Sequence, residues 1–247
     1  MRLSVVLAHP DDETFICGGA LAAFAQAGGT VHLVVATRGE HGRRLGKPPF
    51  ATRESLPVLR EEETRRACRA LGIGALSFLG LRDKCLEFED PDELAGRVVE
   101  CIRRDRPDAL LGFHPQRGGH SDHCTIGQAA TTAWERCGDA TWYPEQIRRG
   151  LAPFQPARFY RLCSGEIARS PAEHGHVPDQ FTQVPVRPVA AAKLAAFRAH
   201  RTQTQLDAWL WGEDAAAVER MAGGVEWFEQ VNPPFMPGEI GLCGMHP

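Results

Sequence analysis

The sequence predicts an α/β fold, a Rossmann-like, doubly wound and mostly parallel sheet flanked by helices. Three observations carry this. Two continuous apolar runs of strand length, LSVVLA at Leu3–Ala8 and VHLVVA at Val31–Ala36, suit strands buried on both faces. Helix-length stretches with an apolar stripe separate the apolar runs. The resulting β-α alternation continues through Cys137, as in a parallel sheet with crossover helices.

Taken in order, Leu3–Ala8 is the first strand. Gly18–Gly28 is Ala-rich with Leu21, Phe24 and Ala25 on one stripe, a helix that Gly28-Gly29 ends. Val31–Ala36 is the second strand, and the Gly-, Arg- and Pro-containing stretch from Thr37 to Pro49 is a loop. A charged helix runs to Leu71, starting at Thr52 or at Leu59 because Pro57 disturbs its beginning. Leu76–Leu79 is a short strand, and Asp92–Arg104 is a helix with Pro91 near its first turn. Ala109–Phe113 is the fourth strand, and Asp122–Cys137 is another helix.

The second half is less regular. Strands are expected near Arg158–Cys163 and Phe181–Val186, and helices at Val189–Ala199 and Asp214–Met221. Ser164–Asp179, containing His174 and His176, reads as a long surface loop. Asn232–Pro237 reads as a surface wrap whose Phe235 and Met236 offer a contact for a homo-oligomer. No break in composition divides residues 1–247, so one domain is expected, its last stretch of about 45 residues a helical or irregular extension.

With 247 residues and 43% hydrophobic content, the chain can build one sizeable core. A net charge of -3 argues against nucleic acid or an acidic membrane as partner. No apolar window is long enough for a membrane span, and Met1–Ala8 is too short for a signal peptide. Eight scattered cysteines without a C-x-x-C pair read as buried free thiols of a cytoplasmic protein.

Two loops carry the candidate chemistry. Ala8-His9-Pro10-Asp11-Asp12-Glu13 follows the first strand, and a segment from His114 to His123 follows the fourth. In a 3-2-1-4 strand order these strands are neighbours where the order reverses, and ligands bind beyond their carboxyl ends. The loops then face each other across one crevice. They offer the imidazoles and carboxylates that zinc uses in catalytic sites, where three protein ligands leave a position for water. His9, Asp12 and His123 are the expected ligands of one zinc ion, or of another divalent metal. Amide hydrolysis also needs a base and an acid. Asp11 is the expected base, and His120 the acid or the donor to the oxyanion. Asp122 is placed to orient His120 through its second ring nitrogen. Taken alone, Asp-Asp-Glu at a helix start is an ordinary cap.

At these residues the chain resembles the PIG-L/LmbE-like family of zinc-dependent N-acetylglucosaminyl deacetylases, with A-H-P-D-D-E at Ala8–Glu13 and H-x-D-H at His120–His123. The resemblance implies the same ligand set, base and acid. It extends to Thr37–Gly42, Arg60 to Gly72, Phe78–Asp83, and Lys193 with His200-Arg201-Thr202-Gln203. It also implies that Arg60 and Asp83 contact sugar hydroxyls, a task suited to a planar guanidinium and a carboxylate. Glu40 and His41 lie on the same sheet edge, where Glu40 can line the mouth. Some members carry Tyr where this chain has Gly118, which leaves more to His120 and the metal. His114 is read as ending its strand, His32 as a satisfied structural histidine, and Trp209 and Trp211 as packing for the C-terminal helices.

The expected activity is zinc-dependent removal of acetyl from an N-acetylglucosamine-type conjugate, a small-molecule partner. The alternatives are a related amidase acting on an aminosugar-thiol conjugate, and a non-catalytic protein whose closed metal site also takes His120.

Overall fold

A computed structural model describes residues 1–169 and 181–232. In chain order the elements are β1 (Arg2–Leu7), α1 (Asp12–Gln26), β2 (Thr30–Thr37), α2 (Leu56–Leu71), β3 (Ala75–Leu81), α3 (Pro91–Asp105), β4 (Ala109–Gly112), α4 (Ser121–Arg136) and α5 (Pro144–Arg148). They continue with β5 (Arg158–Cys163), α6 (Gly165–Arg169), β6 (Phe181–Pro185), α7 (Ala190–Ala199), α8 (Arg201–Thr204), α9 (Asp214–Ala222) and β7 (Val225–Asn232).

Seven strands form one sheet in the order β3-β2-β1-β4-β5-β7-β6. The first five are parallel, and β7 runs antiparallel to both β5 and β6. The order reverses between β1 and β4, whose register sets Leu3 opposite Ala109 and Val6 opposite Gly112. Their carboxyl ends are therefore level, which brings the two motif loops together. Val5, Leu7, Leu33, Val35 and Leu111 are fully buried within the central strands, as continuous apolar runs require. The helices are closed by local chemistry. Asp90 accepts the Asp92 and Glu93 amides at the start of α3, and Gly72 ends α2 at φ 74°.

The structure departs from expectation in four places. Helix α1 begins at Asp12, not Gly18, so Asp12 and Glu13 occupy its first turn, where carboxylates meet the positive end of the helix dipole. The expected helical or irregular C-terminal extension contains β7, which lies inside the sheet. Its buried positions include Glu226 and Gln230 beside Phe228, and those polar residues break the apolar alternation by which a strand is read. Helix α6 occupies the start of the segment read as a surface loop, and α5 was not expected at all. His174, His176, Phe235 and Met236 lie outside the described residues.

Other expectations agree with the fold. His32 bridges Asp105 Oδ2 at 2.5 Å and Ser77 Oγ at 2.9 Å. Trp209 and Trp211 pack on a cluster formed by Val186, Leu194, Phe197, Leu210 and Met221. The seven cysteines among the described residues are free as expected, but only Cys17, Cys68, Cys101 and Cys137 are buried, with Cys85, Cys124 and Cys163 partly exposed. No helix among them is long and apolar enough to cross a membrane.

Candidate metal centre

The chain leaves β1 through Ala8, whose carbonyl accepts the Thr37 amide and hydroxyl, each at 3.0 Å. Three residues later, Asp11 takes a left-handed conformation (φ 99°, ψ -25°), which costs a non-glycine residue about 1–3 kcal/mol and persists only where neighbours over-determine it. They do so here. The Asp11 amide donates to Glu13 Oε2 at 3.0 Å, and its carbonyl accepts the Thr14 and Phe15 amides at 2.9 Å. Its carboxylate does not cap α1 and instead accepts Arg60 Nη2 at 2.9 Å.

The turn converges His9 and Asp12. Asp12 Oδ2 accepts the His9 amide at 2.8 Å and lies 3.6 Å from His9 Nδ1. His123, in the first turn of α4, brings Nε2 to 3.3 Å from both His9 Nδ1 and Asp12 Oδ1. These spacings match the edges, about 3.3–3.4 Å, of a tetrahedron built on zinc-nitrogen bonds of about 2.0–2.1 Å.

Each ring is oriented from behind. His9 Nε2 meets Asp122 Oδ2 at 2.9 Å and Asp83 Oδ1 at 3.2 Å, while His123 Nδ1 donates to the Gly118 carbonyl at 2.8 Å. Phe113 stacks on His123 with centroids 4.0 Å apart. Backing the far nitrogen of each imidazole with an acceptor turns the near nitrogen's lone pair inward, the arrangement of a metal-ligating histidine. Two inward lone pairs and a carboxylate call for a positive charge between them, so the donor set fits a divalent cation.

The electrostatics agree. Burial opposes charge on His9, yet hydrogen bonds to Asp12, Asp122 and Asp83 outweigh it and push the imidazole up to about 11. Burial likewise opposes ionisation of Asp12, but His123 and His9 hold that carboxyl well below the usual range. Asp83 is held at about 2, burial being outweighed by its contacts with His9 and the His41 amide. Asp11 differs from these. Burial raises it to about 6, against the lowering effect of Arg60.

Not every candidate stands as expected. The Asp122 carboxylate does not bond the His120 ring. It takes His9 and the Lys84 and Leu86 amides, at 2.7 and 3.3 Å, because the first turn of α4 points it into the loop after β3. His120 caps α4 instead, its Nδ1 accepting the Asp122 amide at 3.1 Å, with its ring 5.1 Å from that of His9. Arg60, expected to reach sugar hydroxyls, is 3% exposed. Its guanidinium holds the carbonyls of Pro10 and Gly39 and the Asp11 carboxylate. Asp83 is likewise turned inward onto His9 and the His41 amide, while Glu40 accepts the Asp83 amide at 2.9 Å. His114 Nδ1 accepts the Gln116 amide at 3.0 Å, closing the turn after β4.

Glycines make room for this packing. At Gly39 (φ 64°) a Cβ would lie 1.9 Å from Arg60 Nη1. At Gly118 it would lie 2.5 Å from His123 Cβ, which accounts for the absence of a tyrosine there.

Sequence reasoning left His200 without a role. It is fully buried, and its Nε2 meets Glu13 Oε1 at 2.5 Å across 187 residues of sequence. The one sequence signal was its place in the His200–Gln203 segment.

Residues 4–134 match the family model described as GlcNAc-PI de-N-acetylase. A Bacillus subtilis protein named "Probable N-acetyl-alpha-D-glucosaminyl L-malate deacetylase 2" is 37% identical over 201 residues, covering 81% of this chain and 82% of its own. The N,N'-diacetylchitobiose deacetylase of Pyrococcus horikoshii superposes with a TM-score of 0.75 at 20% identity, over 93% of this chain and 83% of the other. A 4-carboxy-2-hydroxymuconate hydratase from Pseudomonas putida superposes at 0.70, also at 20% identity, over 96% and 99% of the two chains. At such identity these two likenesses speak for the fold alone.

Proposed function

Because the chain belongs to the GlcNAc-PI de-N-acetylase family, we propose that it hydrolyses the acetamide of an N-acetylglucosamine-type sugar conjugate, releasing acetate and the free amine. One zinc ion held by His9, Asp12 and His123 would serve the reaction. The observation that carries this reading is the convergence of His9 Nδ1, His123 Nε2 and the Asp12 carboxylate beside a half-buried Asp11 raised to about 6. Two imidazoles and one carboxylate make up a catalytic zinc set and leave a fourth position open.

When bound, the ion supplies Lewis-acid polarisation of the acyl oxygen and lowers the pKa of a water. The chain's own groups supply the rest. Asp11 takes the proton from the attacking water, since a carboxyl at about 6 is largely ionised at neutral pH yet more basic than an ordinary carboxylate. Arg60 aims that carboxylate and keeps it charged. Once protonated, Asp11 can return the proton to the departing nitrogen. His120 Nδ1 accepts a backbone amide, so the neutral ring carries its proton on Nε2, the form that donates to a developing oxyanion. The inward turn of Arg60 and Asp83 supports a role in holding Asp11 and His9. Glu40, half-buried with Oε2 lacking a hydrogen-bond partner among the described residues, is the better-supported contact for a sugar hydroxyl.

The free cysteines support a reducing, cytoplasmic setting, and the single sheet shared by all seven strands supports one domain. The test is acetate release by zinc-loaded protein from a panel of N-acetylglucosaminides with malate, inositol, glucosamine and thiol-bearing aglycones. Release from at least one supports the reading, and the ranking by kcat/KM separates plain deacetylase from thiol-conjugate amidase. No release from any member would overturn it.

A further inference from the structure

We infer that His200 is a positioning residue for the catalytic base, acting through Glu13 on the backbone of Asp11; this rests on the reading of Asp11 as that base. Three observations on the structure carry it. His200 and Glu13 are both fully buried and meet at 2.5 Å. The other oxygen of Glu13 accepts the Asp11 amide at 3.0 Å. That amide belongs to the residue in the left-handed conformation, the conformation that keeps the Asp11 carboxylate off the helix end.

The His200–Gln203 segment extends the same function. The Thr202 amide and hydroxyl donate to Glu63 at 2.8 and 2.6 Å, on the helix that carries Arg60. The Gln203 side chain bonds the Arg43 amide at 3.0 Å and its carbonyl at 2.8 Å, in the loop after β2 that also contains Gly39. The segment after α7 thus grips the three pieces that fix Asp11: its own turn, the Arg60 helix and the Gly39 loop. Among the described residues, Glu13 has a single imidazole partner. The Thr14 hydroxyl also donates to Glu13 Oε1, at 2.8 Å, but from the neighbouring residue of the same turn; without His200 the buried carboxylate loses its tie to a distant part of the chain, and its hold on the Asp11 amide loosens.

The test compares zinc-loaded wild type with His200→Leu and His200→Gln. Glutamine places an N–H near the position of Nε2, and leucine removes the donor. His200→Leu is expected to lower kcat about 10–100-fold with KM and zinc content unchanged, and His200→Gln to restore most of that loss. In a double-mutant cycle, Glu13→Gln adds little to His200→Leu, because both act through one chain of contacts. Hydrogen exchange at the Asp11 amide is read on the same samples and needs no substrate. It is expected to speed up in His200→Leu and to return toward wild type in His200→Gln. Wild-type kcat, or unchanged Asp11 exchange, in a folded His200→Leu protein would overturn the inference. Absence of turnover in wild type would strike the deacetylase reading alone, with the exchange measurement still deciding this one.

Discussion

His9 Nδ1 and His123 Nε2 approach to 3.3 Å while the far nitrogen of each ring is engaged elsewhere, by Asp122 and Asp83 for His9 and by the Gly118 carbonyl for His123. The pair is stable only with a positive charge on that spot. Without metal a proton on His9 supplies it, held against burial by the Asp12, Asp122 and Asp83 carboxylates, which push the imidazole up to about 11.

Metal binding must displace that proton. Below about 11 the metal-free His9 is protonated, so apparent zinc affinity is expected to rise at least about tenfold per pH unit between pH 6 and 8, with release of at least about one proton per ion. Chelator competition at three pH values measures this. A pH-independent affinity would contradict it. Asp122→Ala is expected to weaken zinc about 10–100-fold by freeing the His9 ring.

Asp11→Asn is expected to keep its zinc and lose kcat by about 10²–10⁴-fold, because the amide cannot accept the water's proton. Metal analysis alongside turnover checks both halves. Undiminished kcat would remove Asp11 as base.

The pH profile has a definite sign. With Asp11 as the proposed base, the working form is the ionised carboxylate, so kcat/KM is expected to fall as pH drops through about 6 and to level off above it. Arg60 lowers that pKa against the effect of burial, so Arg60→Met is expected to move the acid limb to higher pH. An acid limb that stays in place would mean that Arg60 does not bear on the base.

Gly39→Ala tests the packing behind Asp11. The new Cβ would meet the Arg60 guanidinium, and the positive φ is unfavourable to alanine. A loss of about 1–3 kcal/mol is expected, seen as a Tm lower by roughly 2–12 °C, together with reduced kcat. An unchanged Tm and kcat would show that the loop yields without consequence.

Much of the site was legible in the sequence because its chemistry sits at strand ends. The apolar runs gave β1 and β4, their neighbourhood followed from the doubly wound order, and His9, Asp12 and His123 then fell on facing loops. What was not legible depends on where side chains point. Arg60 and Asp83 carry the charges that suit a sugar, and only the fold shows them turned inward onto Asp11 and His9. Asp122 lies two residues from His120, yet helix geometry sends its carboxylate to His9. Glu226 and Gln230 hid β7, since buried polar residues in a strand look like loop residues; Glu226 is satisfied by the distant Gly19 and Ala20 amides and Lys193. His200 finds Glu13 from the other end of the chain, a contact that no local pattern announces.

The most direct measurement of the central claim is anomalous diffraction at the zinc edge on crystals of the zinc-loaded protein. The account expects one ion bound by His9 Nδ1, the Asp12 carboxylate and His123 Nε2, with solvent completing the coordination. An ion that also takes His120 and leaves no solvent position, or one bound away from His9 and His123, would contradict it.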